Sequence, residues 1–116
     1  MIKTSILVGL GGFAGTLLRF LVGTLFKSGI FPVTFFINIV GSFIIGMIMG
    51  SVWRSDVWKA ALGIGFCGGF TTFSAFSIEN VLLFERGKPL IAAAYILSSV
   101  AGGIFSAYLG YKFTHK

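Results

Sequence analysis

Charge is what this sequence of 116 residues has least of. Charged side chains make up 10% of it, against about 25% in a soluble globular domain. Hydrophobic residues make up 56%. That leaves too little polar surface for a soluble fold and points to one polytopic membrane domain over residues 1–116. Carboxylates number three and histidine one. The histidine, His115, reads as a solvated tail residue. Neither a nucleophile–base pair nor a cluster of metal-ligating side chains is in view, so an enzyme is not expected. The single cysteine, Cys67, excludes an intrachain disulfide and a cysteine-based metal cage. Low-complexity tails and internal repeats are also missing. The net charge is +6, which in a soluble protein would suggest nucleic acid. Here the basic residues sit mostly at the ends of apolar segments, where Lys and Arg meet lipid headgroups. Nucleic acid is therefore not an expected partner.

What is there are four apolar segments, each near the ~20 residues that span a bilayer. They cover about 4–26, 32–53, 57–83 and 89–113. The first is too long for a signal-peptide core and runs into more membrane sequence, so it is expected to be retained. Pro32 and Pro89 open the second and fourth, where a first helical turn tolerates proline. Trp53 and Trp58 flank the second linker and suit an interfacial aromatic belt. Short linkers predict antiparallel neighbours and both termini on one side. Pairs at small-xxx-small spacing recur: Gly11 and Gly15, Gly46 and Gly50, Gly65 and Gly69, Ser106 and Gly110. Such pairs let membrane helices approach closely.

Orientation is poorly marked. Lys3, Arg54, Lys59, Lys112 and Lys116 fall on the side of the termini. Lys27, Arg86 and Lys88 fall on the other, joined by Arg19 if it snorkels. Five against four is almost no bias. One weakly biased orientation and insertion in both orientations stay open. In the second case two opposed copies could pair through a two-fold axis in the membrane plane. Eight helices would then enclose a protein-lined pathway for which four have little room.

The most telling stretch is 65–77: Gly-Phe-Cys-Gly-Gly-Phe-Thr-Thr-Phe-Ser-Ala-Phe-Ser. It lies mid-segment, where a membrane helix should be most regular. Glycine costs about 1 kcal/mol in a helix interior relative to alanine, so Gly68-Gly69 followed by Thr71-Thr72 predicts a break. Non-helical backbone survives in a bilayer only where protein or a water-filled cavity satisfies it. Broken membrane helices near the midplane hold ion or substrate sites, so the break predicts transport. Free carbonyls near Gly68 and Thr71 could enclose a small cation, if a two-fold axis doubles them.

Few polar groups lie deep in the segments, and each is informative. Asn38 either bonds another helix or serves an anion as a donor. Glu79 is odd in an anion route unless protonated or paired; Arg19 is one candidate partner. Tyr95 and Ser99 share a helix face. Ser98 and Ser106 suit bonds back to their own backbone. Phe70, Phe73 and Phe76 recur every three residues among Thr71, Thr72, Ser74 and Ser77. They are either packing or a row of ring edges that, with hydroxyl donors, holds a small anion weakly enough to release it.

The run 65–77 with Glu79 resembles the third-helix motif of the Fluc (CrcB) fluoride channels. Gly11-Gly12-Phe13-Ala14-Gly15 leading to Arg19-Phe20, and Asn38-Ile39-Val40-Gly41-Ser42-Phe43, are similar to that family's first- and second-helix motifs. The resemblance covers essentially the whole chain. It implies an all-α membrane protein of four transmembrane helices with a broken third, assembled as a dual-topology antiparallel homodimer in the inner (plasma) membrane. It further implies two fluoride pathways per dimer, passive fluoride export and fluoride resistance. Phe73 and Phe76 match the pathway phenylalanines and Asn38 the pore asparagine. Arg19 matches the vestibule arginine; Ser74, Thr72, Glu79, Tyr95 and Ser99 match the polar track. The carbonyls of Gly68 and Thr71 match those that hold a structural sodium ion at the dimer centre. Ala75 departs from relatives that carry a hydroxyl there. The competing reading is a small proton-coupled drug or cation exporter. That class needs a membrane-embedded carboxylate in its first helix, and the first segment here has none.

Overall fold

The computed structural model describes residues 1–26, 33–52 and 55–115. Pro32, Trp53 and the charges of Lys27, Arg54 and Lys116 lie outside the described residues. The elements run α1 (Ile2–Leu25), α2 (Val33–Gly50), α3 (Asp56–Lys59), a π-helical stretch (Ala60–Cys67), α4 (Gly68–Phe70), α5 (Phe73–Glu85) and α6 (Pro89–Thr114). Together α3 to α5 form the third of four spans long and apolar enough to cross a membrane. That third span is the least apolar of the four and the most buried, and it touches α1, α2 and α6.

Local signals set the ends. Ser55 caps α3, its hydroxyl accepting the Trp58 N–H at 3.3 Å. Trp58 is 52% exposed beside this end, as an interfacial ring would be. α5 ends in a Schellman motif: Gly87 N–H donates to Phe84 at 3.1 Å and Lys88 N–H to Leu83 at 2.9 Å. Gly87 takes φ +70°, which only glycine adopts cheaply. Pro89 then starts α6.

Two helix pairs carry the packing, and small residues make both. α1 lies against the π-helical stretch and α4. A Cβ on Gly15 would strike the Phe66 carbonyl, one on Gly65 the backbone of Val8, and one on Gly69 the Gly12 carbonyl. α2 lies against α6 in the same way. Cβ atoms on Gly46 and Gly110 would strike the Ala107 and Phe43 carbonyls. Lipid tails are as apolar as leucine, so van der Waals contact at close approach, not hydrophobic burial, holds such pairs. Hydroxyls add cross-links. Ser106 donates to the Ile39 carbonyl at 2.8 Å and Thr114 to the Met47 carbonyl at 2.7 Å. Ser106 thus bonds across helices, where a bond to its own backbone was expected; Ser98 does bond back, to Tyr95 at 3.2 Å.

Candidate functional site

The break in the third span falls at Thr71 and Thr72, not at the glycines before them. Gly68 is helical, at φ −63° and ψ −36°. Thr71 (φ −78°, ψ 158°) and Thr72 (φ −147°, ψ 115°) are extended. β-Branched residues accept extended backbone readily, whereas Gly69 serves the close contact with α1 and a Cβ on Gly68 would meet nothing within 4 Å. The interruption is stitched by side chains. Asn38 on α2 accepts the Thr72 N–H at 2.8 Å and donates to the Thr72 carbonyl at 3.1 Å. One carboxamide so replaces both backbone partners that Thr72 loses by leaving the helix. Thr72 in turn caps α5, its hydroxyl accepting the Ala75 N–H at 3.1 Å, and lies 3.2 Å from the Ser74 hydroxyl. Thr71 stays tied to the turn before, N–H and hydroxyl both donating to the Cys67 carbonyl at 2.9 Å. The carbonyls of Gly68 and Thr71 accept no bond from the described residues. A hard cation fits such oxygens, but two of them do not by themselves surround one.

A second polar cluster lies along α5. Glu79 accepts from the Thr34 hydroxyl at 2.6 Å and from the Tyr95 hydroxyl at 2.5 Å. Helices α2, α5 and α6 therefore meet at one carboxylate. Arg19 is not its partner: its Nε donates to the Gly69 carbonyl at 3.2 Å, next to a longer bond from the Thr16 hydroxyl at 3.5 Å. A cation at that carbonyl suits the negative end of the helix that stops there. The Tyr95 ring meets Phe76 edge-on, centroids 5.0 Å apart and planes at 65°. Phe73 and Phe76 lie 5.8 Å apart, yet Phe76 is 8% exposed and Phe73 78%. Phe70 belongs to neither: it precedes the break, is buried, and stacks on Phe66. The three-residue spacing of phenylalanines therefore spans two environments.

Two cavities adjoin these clusters. A cavity of about 1040 Å³ holds Arg19, Thr34, Thr72, Glu79, Arg86 and Tyr95 on its walls. A smaller one, about 350 Å³, opens at the break beside Asn38, Ser42, Gly68, Thr71, Thr72 and Phe73. Thr72 borders both. Ser99 lies in neither; its hydroxyl is buried without a partner among the described residues. Sequence reasoning missed Thr34. Its signal was the four-residue step to Asn38, which puts both on one face of α2.

The chain matches the model of the CrcB-like protein family, Camphor Resistance (CrcB), over residues 6–111. It is 40% identical to a fluoride-specific ion channel FluC of Azobacteroides pseudotrichonymphae genomovar. CFP2, over 98% of this chain and 98% of that one. It is 42% identical to a fluoride-specific ion channel FluC 2 of Rhodococcus jostii (strain RHA1), covering 96% and 98%. The FluC channel of Vibrio cholerae serotype O1 (strain M66-2) is also 42% identical, covering 94% and 93%. With four spans and a third interrupted where that family's motif lies, the chain is a multi-pass membrane protein and belongs to the CrcB-like family.

Proposed function

We propose that this protein is a fluoride-selective channel of the plasma membrane, passing fluoride down its electrochemical gradient. One observation carries the reading. Relatives at about 40% identity over nearly the full length are named fluoride-specific channels. The residues on which the likeness rests stand at a broken helix between two cavities.

Fluoride is small and strongly hydrated, so a pathway must replace its water with close donors. Asn38, Thr72, Ser74, Tyr95 and Thr34 supply O–H and N–H groups along α2, α5 and α6. Phe73 and Phe76 add ring edges, which carry partial positive charge. Among the described residues no charged side chain lines the smaller cavity, so an anion there is held weakly enough to leave. Glu79 keeps its donors aimed inward, since Thr34 and Tyr95 both bond to it. A passing anion competes with the carboxylate for those same two hydroxyls. Arg19, on the wall of the larger cavity, draws anions towards the entrance. Ser99 joins the track on the family likeness alone; it lines neither cavity, and its buried hydroxyl has no partner among the described residues.

The working unit is an antiparallel homodimer with two pathways. Near-zero charge bias leaves both orientations accessible. The exposed Phe73 ring and the free Gly68 and Thr71 carbonyls need cover, because an unsatisfied carbonyl in hydrocarbon costs several kcal/mol. A second, inverted copy covers them and doubles the carbonyls. A sodium ion held by the Gly68 and Thr71 carbonyls of both copies would tie the halves together.

The test is fluoride efflux from proteoliposomes, followed with a fluoride electrode, with potassium and valinomycin carrying the compensating charge. Fast fluoride release that needs valinomycin, with little chloride release in a parallel run, is the expected result. No release from folded protein overturns the channel, and release driven by a proton gradient without valinomycin favours an exporter.

A further inference from the structure

One face of α2 carries three polar side chains at successive four-residue steps: Thr34, Asn38 and Ser42. Each step advances about one turn, roughly 6 Å. Thr34 reaches across to Glu79, and Asn38 reaches across to Thr72. Ser42, the third rung, reaches nothing: its hydroxyl has no hydrogen bond among the described residues. A serine inside a membrane helix ordinarily bonds back to a carbonyl three or four residues earlier. Ser5, Thr24, Ser51, Thr71 and Ser98 do so here. For Ser42 the carbonyl three residues back is that of Ile39, and Ser106 of α6 already donates to it. The hydroxyl is left on the wall of the cavity of about 350 Å³ that opens at the break, with Asn38 and Thr72. Across from it α6 presents Gly103, where even a Cβ would stand 3.6 Å from the Ser42 hydroxyl. Asn38 spends one N–H of its amide on Thr72 and keeps the second.

We infer that Ser42 is a further donor on the anion path. Its O–H and the second Asn38 N–H form a two-donor station in the cavity beside the break. The assignment rests on the proposed channel function and extends it to a residue one turn beyond Asn38. It also separates Ser42 from a packing serine. Removing a hydroxyl that holds no protein partner leaves nothing unsatisfied, so a packing role predicts that alanine is harmless.

The experiment reconstitutes the wild type, Ser42→Ala, Ser42→Thr and Ser5→Ala, each with its dimer content checked by size exclusion and its melting temperature recorded. Fluoride efflux is then measured. Ser42→Ala is expected to keep its melting temperature and to release fluoride about tenfold or more slowly, the range for a hydrogen bond to a charged group. Ser42→Thr, which keeps the hydroxyl, should recover most of the rate, and Ser5→Ala should match the wild type. Ser42→Ala at the wild-type rate overturns the assignment. So does an equal loss in Ser42→Ala and Ser42→Thr with lowered melting temperatures, which traces the lost flux to a damaged fold and not to a lost donor. A wild type that fails to release fluoride removes the channel reading itself, and this station with it.

Discussion

The two halves of the third span solve opposite problems with neighbouring residues. Upstream, from Ala60 to Phe70, the chain is built for contact: Gly65 and Gly69 press on the backbone of α1, and polar side chains are few. Downstream, from Phe73 to Glu85, it is built for spacing. Phenyl rings, hydroxyls and a carboxylate hold α2 and α6 around a cavity. Two extended threonines separate the halves, and Asn38 spans the gap between them. A membrane helix that only packed would need the first half throughout. The contrast teaches that this span is rigid where it must support and interrupted where polar groups must face inward.

The largest effect should come from filling the contact half. Gly15→Val on α1 sets a branched side chain against the Phe66 carbonyl and Phe70 amide. Backbone cannot yield as a side chain does, so the helices must part, at about 1–3 kcal/mol or more. Loss of the monodisperse species in size exclusion is expected, with flux lost only because the protein is lost. Next comes the joint. Asn38→Asp can still accept the Thr72 N–H but cannot donate to its carbonyl, and it adds a negative charge to the path. Fluoride efflux should fall by roughly tenfold to a hundredfold, the worth of a bond to a charged group, while the dimer persists. Full activity would place Asn38 outside the pathway and leave it purely a stitch.

A smaller effect belongs to the spacing half. Phe76→Ile keeps apolar volume but removes the ring edge against Tyr95. Flux should slow by about tenfold or somewhat less, matching the ~0.5–1.5 kcal/mol of an aromatic contact. The same change at exposed Phe73 tests whether that ring serves the path at all. The smallest effect marks where the contact rule ends. Gly9 has nothing within 4 Å of its would-be Cβ, so Gly9→Ala should cost nothing and raise stability by up to about 1 kcal/mol. A Gly9→Ala protein that fails to fold would show that glycine itself, rather than close approach, is what α1 requires.

Much of this was legible in the residues. Four spans and an interrupted third follow from apolar runs and from polar residues placed where a helix should be uniform. The small-xxx-small pairs read as packing and are found at helix contacts. What the residues concealed was the division of labour inside the interrupted stretch. The expected break ran from Gly68-Gly69 through Thr71-Thr72 without dividing the two pairs. Propensity is a local average, however: both glycines stay helical, Gly69 packed on α1, while Asn38 bonds the extended Thr72. The even spacing of Phe70, Phe73 and Phe76 suggested one stripe, but spacing has no meaning across a break that resets the helix. Arg19 was one candidate partner for Glu79, because opposite charges in a membrane invite pairing. The fold gives the arginine a carbonyl and the carboxylate two hydroxyls. The one sign of Thr34 in the sequence, its four-residue step to Asn38, took on meaning only with α5 beside it.

The sequence by itself determined the class of the protein, the number of its spans and the place where one of them had to be interrupted. These depend on composition and on period, which are properties of the chain alone. Only the tertiary structure decided which backbone unit leaves the helix, which side chain repairs it and which hydroxyls meet at Glu79. Each of those outcomes is a bond between residues 16 to 45 positions apart, and its partner is chosen by how the helices pack.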